Sequence, residues 1–390
     1  MAKPVTDLIH HPYIPPAGFS APQGPVYKAS TVIFKDVAAM RARDWRSKQG
    51  YTYGLHGTPT TFALEERVAT LEGGKHCLLF PSGLAAIAAV GMALLSSGDE
   101  VLIPSNAYGP NKALAQGELQ RWGITHQLYD TMDPADLERR ISAKTKLAWL
   151  EAPGSVTMEF PPVDEQARIC RQRGVACALD NTWAGGVALN GFGINADIVV
   201  HALTKYPSGG GDVLMGAVVT RDDALNEKLK LSHMHLGFGV GANDAEAILR
   251  SLPSLPVRYE AHDKVGRELA AWLKQRNEVV QLLHPAFEGS PGHEHWKRLC
   301  GGKAAGLFSI VLDERFSVQQ VDRFCDALRL FKLGYSWGGP VSLVVPYDMG
   351  QLRQPQHWAH KGVLVRFSIG LEDVEDLRAD LEQALEKGLK

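Results

Sequence analysis

The chain is poor in cysteine and carries no surplus of either charge. Its five cysteines (Cys77, Cys170, Cys177, Cys300, Cys325) are an odd number, with no Cys-x-x-Cys pair among them. That excludes a disulfide-stapled scaffold and fits scattered, buried thiols in a reducing compartment. Lys+Arg 41 against Asp+Glu 43 leaves a net charge of −2, so there is no basic field for nucleic acid and no acidic tail. Long apolar runs are also missing. Cys77 to Gly98 is free of charge, but Pro81-Ser82-Gly83 interrupts it. The remaining Leu84–Leu95 stretch would span only ~18 Å as a helix, against a ~30 Å bilayer core. The opening residues, Met1-Ala2-Lys3-Pro4-Val5-Thr6-Asp7, hold no apolar segment of a signal peptide, so none is expected. What is present is ordinary: 45% hydrophobic and 22% charged residues, the balance of a soluble globular protein. The length suggests roughly two to three domains. A cytoplasmic enzyme is the expectation.

Residues 1–57 are rich in Pro, Gly, His and Tyr without clear periodicity, and read as an arm lying across something, such as another subunit. From Thr61 the pattern changes. Phe62–Leu71 reads as an amphipathic helix closed by Gly73-Gly74. Strands are then expected at His76–Phe80, Glu100–Ile103, Ile124–Leu128, Leu147–Glu151, Val175–Leu179 and Ile198–Leu203. Between them stand helices Leu84–Leu95, Asn111–Trp122, one announced by Asp133 and Pro134, and Val163–Arg173. The strands are near-continuous apolar runs, the signature of a mostly parallel sheet covered on both faces. The fold class is therefore α/β. Leu252-Pro253-Ser254-Leu255-Pro256 marks a boundary. Beyond it, helices Val257–Gln275, Val318–Leu330 and Val374–Glu386 with strands Leu307–Leu312 and Leu364–Ile369 suggest a smaller α+β domain.

In open α/β sheets, ligands sit outside the carboxyl ends of the strands. Three such ends stand out. Phe80-Pro81-Ser82-Gly83-Leu84-Ala85 passes through a small turn into a helix, whose free N–H groups and dipole suit a phosphate. A plain βα turn is the bland alternative. The strand Val175–Leu179 delivers Asp180, a carboxylate that burial makes costly unless a cation pairs with it. The alternative is an Asp that caps the next turn. The strand ending at Leu203 delivers Thr204-Lys205-Tyr206 and then Gly209-Gly210-Gly211-Asp212. Partial burial would push the Lys205 amine toward nucleophilic chemistry, whereas a snorkelling lysine would stay inert. A phosphate cradle, a carboxylate and an amine on one sheet edge are together what pyridoxal 5′-phosphate needs. A nicotinamide enzyme is disfavoured, because the Phe80 turn lacks G-x-G-x-x-G and Gly237–Gly241 follows no expected strand.

Tyr53-Gly54, Gly57-Thr58-Pro59-Thr60, Phe80–Gly83, Asp180-Asn181-Thr182, Thr204-Lys205-Tyr206 and Tyr335-Ser336-Trp337-Gly338-Gly339 occur in the order seen in one known family. The chain resembles the Cys/Met-metabolism PLP-dependent enzymes of the aspartate-aminotransferase-like fold, over about Tyr51 to Leu389. The resemblance implies three segments. These are an extended N-terminal arm (1–57) touching a neighbouring subunit, a PLP-binding domain (58–253) with a mostly parallel seven-stranded sheet, and a C-terminal α+β domain (254–390). It implies Lys205 as the lysine that holds the cofactor and carries protons, and Asp180 on the pyridine nitrogen. It further implies Tyr108 stacked on the ring, Gly83 and Leu84 N–H groups on the phosphate, and the Thr204 hydroxyl beside them. Tyr53 would reach the neighbouring subunit's phosphate, and Arg366, Ser336 and Trp337 would meet the amino-acid substrate. A planar guanidinium grips a carboxylate in a two-pronged way that lysine cannot copy. No metal, nucleic acid or membrane enters this reading. A homodimer sharing its sites, paired into a tetramer, and a role in methionine biosynthesis follow from the same resemblance.

Three departures matter. Relatives usually carry Arg two places after the arm tyrosine, where this chain has Leu55 followed by His56. After the lysine, Gly-His-Ser-Asp is replaced by Gly209-Gly210-Gly211-Asp212. Many γ-acting members have Asn in the loop where this chain reads Glu151-Ala152-Pro153-Gly154-Ser155. That loop, with the aromatic Trp337, favours β-elimination on a thioether amino acid over γ-chemistry.

Overall fold

The computed structural model describes residues 3, 6, 17–18, 21–352 and 358–389. Most of the first twenty residues of the expected arm therefore lie outside the described residues, as does Lys390.

The larger sheet has seven strands: β1 (His76–Phe80), β2 (Glu100–Pro104), β3 (Thr125–Tyr129), β4 (Thr145–Glu151), β5 (Ala176–Asp180), β6 (Ile198–Ala202) and β7 (Gly216–Thr220). Their order is β1-β7-β6-β5-β4-β2-β3. β7 runs antiparallel to both its neighbours, and every other adjacent pair is parallel. Apolar residues point both ways. Leu102, Leu150, Leu179 and Val199 enter one core layer, while Val101, Ile103, Trp149, Ala178 and Val200 enter the opposite one. Burial on both faces explains why the strands read as continuous apolar runs.

Local signals set the helices. The helix Pro59–Glu72 starts in a capping box, where Thr58 Oγ1 accepts from the Thr61 amide and Thr61 Oγ1 from the Thr58 amide. It ends at Gly73, whose φ of 72° is the left-handed cap that glycine adopts freely. Asp133 Oδ1 accepts from the Ala135 amide and starts the helix Pro134–Arg140. The helix expected over Asn111–Trp122 begins earlier, at Gly109, and widens into a π turn at Ala115–Leu119. The Leu252–Ser254 break is a 3₁₀ turn joining helices Ala242–Ser251 and Leu255–Lys274. Pro253 and Pro256 sit in first turns, where proline's missing N–H costs nothing.

The second sheet comprises β8 (Val279–Leu283), β9 (Leu307–Leu312), β10 (Lys332–Leu333), β11 (Leu343–Tyr347) and β12 (Leu364–Ser368), in the order β10-β11-β12-β9-β8. Helices Leu255–Lys274, Val318–Ala327 and Val374–Gly388 contribute to its core, where Phe367 packs against Phe308 and Phe331. All five cysteines are free and buried. Among the described residues no helix is long and apolar enough to cross a membrane.

Candidate active site

The carboxyl ends of β1, β4, β5 and β6 converge on one edge. β6 ends at Ala202, and the chain turns so that the Lys205 side chain leaves the sheet three residues later. Its Nζ donates to Ser336 Oγ at 2.7 Å and lies 5.2 Å from the Trp337 ring centroid. Ser336 and Trp337 belong to the loop between β10 and β11, so the amine sits between the two sheets. Burial lowers the Lys205 pKa to about 8, helped by the positive Arg366 and opposed by Asp180. That is not an inert snorkelling lysine.

Asp180 ends β5. Its Oδ1 accepts from the Thr182 amide at 3.0 Å, so it does cap its own turn. No basic side chain pairs with it among the described residues. Burial raises its pKa, against the pull of the Thr182 hydrogen bonds and the charges of His201 and Lys205. A carboxylate kept in this state has room for a cation.

Arg366 lies mid-strand in β12 and is 8% exposed. Its Nη2 donates to the Ser336 carbonyl at 3.3 Å, and its guanidinium sits 5.4 Å from the Tyr347 ring centroid. Its Nε is buried without a partner, and no carboxylate pairs with it among the described residues. Burial lowers its pKa, the cost of holding an unpaired cation there.

Tyr108 precedes the helix Gly109–Leu114, with its side chain 42% exposed and its amide bonded to Glu151 Oε2 at 2.8 Å. Burial and the charges of Asp180 and Glu151 raise its phenol pKa. Gly83 opens the helix Gly83–Leu94 beside the end of β6. A Cβ there would stand 2.7 Å from Ala202 Cβ. Leu84 follows it and is 37% exposed. Ser82 Oγ caps this helix through the Ala85 amide, which leaves the first-turn amides of Gly83 and Leu84 without intrahelical acceptors.

Two further expected groups, Thr204 and Tyr53, lie apart from the Lys205 amine. The Thr204 hydroxyl is committed to the backbone, donating to the Met215 carbonyl at 3.3 Å and accepting from its amide at 3.1 Å. Tyr53 is 46% exposed, and its contacts are with Ser30, Thr31 and His56 of the arm rather than with the Lys205 cluster. Sequence reading passed over Glu151, which ends β4 in register with Asp180 on β5. The signal was available, since it too is a carboxylate closing an apolar strand. Burial and the charge of Asp180 push the Glu151 pKa up to about 8.

The donor set fits pyridoxal phosphate. A partly dehydrated amine of low pKa, a half-buried carboxylate without a cation, and a glycine-tight helix N-terminus occupy one edge. A family model described as Cys/Met metabolism PLP-dependent enzyme matches residues 5–386. The chain is similar to a cystathionine beta-lyase of Bordetella avium (39% identical, covering 99% of this chain and 98% of that protein). It is similar also to the cystathionine beta-lyase of Escherichia coli (36% identical, covering 92% of this chain and 91% of that protein). The crystal structure of metB from Corynebacterium glutamicum superposes with a TM-score of 0.87 at 30% identity, covering 99% of this chain and 98% of that one.

Proposed function

The chain belongs to the Cys/Met metabolism PLP-dependent enzyme family, and on that premise we propose that it is a cystathionine β-lyase. It would cleave L-cystathionine with one water to homocysteine, pyruvate and ammonia, a step of methionine biosynthesis. The observation that carries this reading is the Lys205 amine, held near pKa 8 between Ser336, Trp337 and the unpaired Arg366.

When bound, pyridoxal phosphate supplies an aldehyde for amines and a ring that takes up the electron pair left at Cα. Gly83 and Leu84 amides would hold its phosphate, Asp180 would keep its ring nitrogen protonated, and Tyr108 would cover its ring. Arg366 would grip the substrate α-carboxylate with its free Nε and one Nη. Lys205 Nζ would take the Cα proton, a transfer for which an amine of pKa about 8 is well matched near neutral pH. The same Nζ, or the Tyr108 hydroxyl, would protonate the departing sulfur at Cβ. Ser336 Oγ would steer Nζ between these tasks, and Trp337 would keep water from it.

The coarser partner statement is an amino-acid substrate. We extend it to a homodimer that shares sites through Tyr53, paired into a tetramer in the cytoplasm. The chain divides into an arm (1–57), a cofactor domain (58–253) and a C-terminal domain (254–390).

The test is to incubate the protein with L-cystathionine and identify the keto acid. Pyruvate supports β-elimination, and 2-oxobutyrate would assign the chain to the γ-acting members.

A further inference from the structure

Two loops beside the site are stitched together by a single carboxylate. One follows β2 and carries Tyr108. The other follows β4 and carries Ser155. Glu151 Oε2 accepts from the Tyr108 amide at 2.8 Å, and Glu151 Oε1 accepts from Ser155 Oγ at 2.8 Å. The Ser155 amide donates to the Asn106 carbonyl at 2.9 Å. The loops touch so closely that a Cβ on Gly154 would stand 2.0 Å from Asn106 Nδ2. Glu151 itself is 9% exposed.

This arrangement is expensive. Register places Glu151 opposite Asp180, and strand alternation turns both to the same face. Two carboxylates side by side at low exposure repel, and one neutral residue there would relieve the repulsion. The charged neighbours of Glu151 are Asp180 on β5 and Lys112 on the helix after Tyr108. Its gain is mechanical: Tyr108, 42% exposed, has its backbone bolted to the end of β4.

We propose that Glu151 is a positioning residue for the aromatic platform: its two oxygens pin the Tyr108 turn to the end of β4 and so fix where the ring stands at this sheet edge. Glu151 touches neither cofactor nor substrate in this role. It acts through Tyr108, and the inference rests on the reading of Tyr108 as the cover of the cofactor ring.

The experiment titrates cofactor-free protein with pyridoxal phosphate and reads affinity together with circular dichroism in the cofactor band. Tyr108→Ala, Glu151→Ala, their double variant, Glu151→Gln and Glu151→Asp are compared with the parent. Glu151→Ala is expected to weaken binding about tenfold and flatten the dichroism, a coupling typical of residues in contact. Glu151→Gln keeps an oxygen for the Tyr108 amide and should restore both signals to within about threefold of the parent, as expected of a retained hydrogen bond. The double variant should bind no more weakly than Tyr108→Ala alone. Additive losses, or a Gln variant as poor as Ala, would overturn the positioning role. If Glu151→Ala does not fold, Glu151→Asp is decisive, because it keeps the charge but is too short to span both loops. Parent-like binding by Glu151→Asp overturns the inference. Should Tyr108→Ala bind like the parent, the reading of Tyr108 fails and the inference with it. If Tyr108→Ala is weakened while Glu151→Ala is not, only the inference fails.

Discussion

Lys205, in the turn after β6, and Arg366, on β12 of the other sheet, are two basic side chains that share one residue as partner. Lys205 Nζ donates to the Ser336 hydroxyl at 2.7 Å, and Arg366 Nη2 donates to the Ser336 carbonyl at 3.3 Å. Ser336 holds this double contact at a φ of 100°, a conformation costly for a residue with a side chain. Like charges brought together in a dehydrated pocket favour the neutral amine, since the guanidinium stays protonated over any ordinary pH.

The first prediction is kinetic. Only the neutral amine captures an aldehyde, so the rate at which cofactor-free protein takes up pyridoxal phosphate should rise with pH and level off above about 8. A free lysine would carry the rise toward ~10.4. Arg366→Leu removes one of the two causes of the lowered pKa and should move the midpoint upward. A midpoint that stays put would show that burial alone sets it.

Glu151 and Asp180 should contribute stability to the cofactor-free protein that falls as pH rises, opposite to the usual behaviour of ion-paired carboxylates. Glu151 has its pKa raised from 4.5 to about 8, and Asp180 is raised too. Between the unfolded and folded values the native state binds more protons than the unfolded chain. Their contribution is therefore full below the unfolded values, and the Glu151 share is lost progressively from about 4.5 up to about 8. Each tenfold change in proton affinity between the two states is worth about 1.4 kcal/mol, so the whole loss is on the order of a few kcal/mol. Urea midpoints measured at several pH values check it. Glu151→Gln should flatten the dependence.

Arg366→Lys should separate substrate binding from cofactor binding. Lysine keeps the charge but loses the planar fork, and Nε is the atom left without a partner in the pocket. We expect kcat/KM on L-cystathionine to fall about 10²–10³-fold, mainly through KM, the scale of losing a buried charged contact. Cofactor absorbance should be unchanged. A loss of colour in this variant would mean that Arg366 supports the cofactor instead.

The larger sheet was legible wherever strands were apolar runs closed by a distinctive residue. β1 and the helix Val163–Arg173 fall where the sequence places them, and Gly73 and Asp133 cap as expected. β7 went unread because Gly216-Ala217-Val218-Val219-Thr220 follows a glycine-rich loop and lacks a boundary of its own. β8 and β11 escaped because their burial is partial and their pattern weak, and β10 because it is two exposed residues long. In the site, Asp180 and Lys205 were visible as polar residues ending apolar strands. The bond from Lys205 to Ser336 was not, because it crosses from one sheet to the other over 131 residues of sequence. Glu151 was equally visible as a carboxylate ending an apolar strand, but its hold on the Tyr108 turn was not, because that bond goes to a backbone amide, which carries no residue identity.

Gly83 offers the last test, because its role is purely one of space. The amides that would meet the phosphate lie at the start of the helix Gly83–Leu94, and that start is pressed against the end of β6. A Cβ at Gly83 would stand 2.7 Å from Ala202 Cβ and 3.1 Å from Ala202 Cα. Neither neighbour can swing aside as the tip of a long side chain could. Gly83→Ala must move the helix start away from β6, and with it the amides proposed to hold the phosphate. Overpacking of this kind costs about 1–3 kcal/mol, so cofactor affinity should fall roughly 5- to 150-fold. Ala202→Gly opens the same space from the other side, and the double variant should recover most of the loss. Recovery would tie the defect to the close approach of helix and strand. A double variant as weak as Gly83→Ala would place the cause in the glycine's own backbone freedom, although Gly83 does not adopt a positive φ.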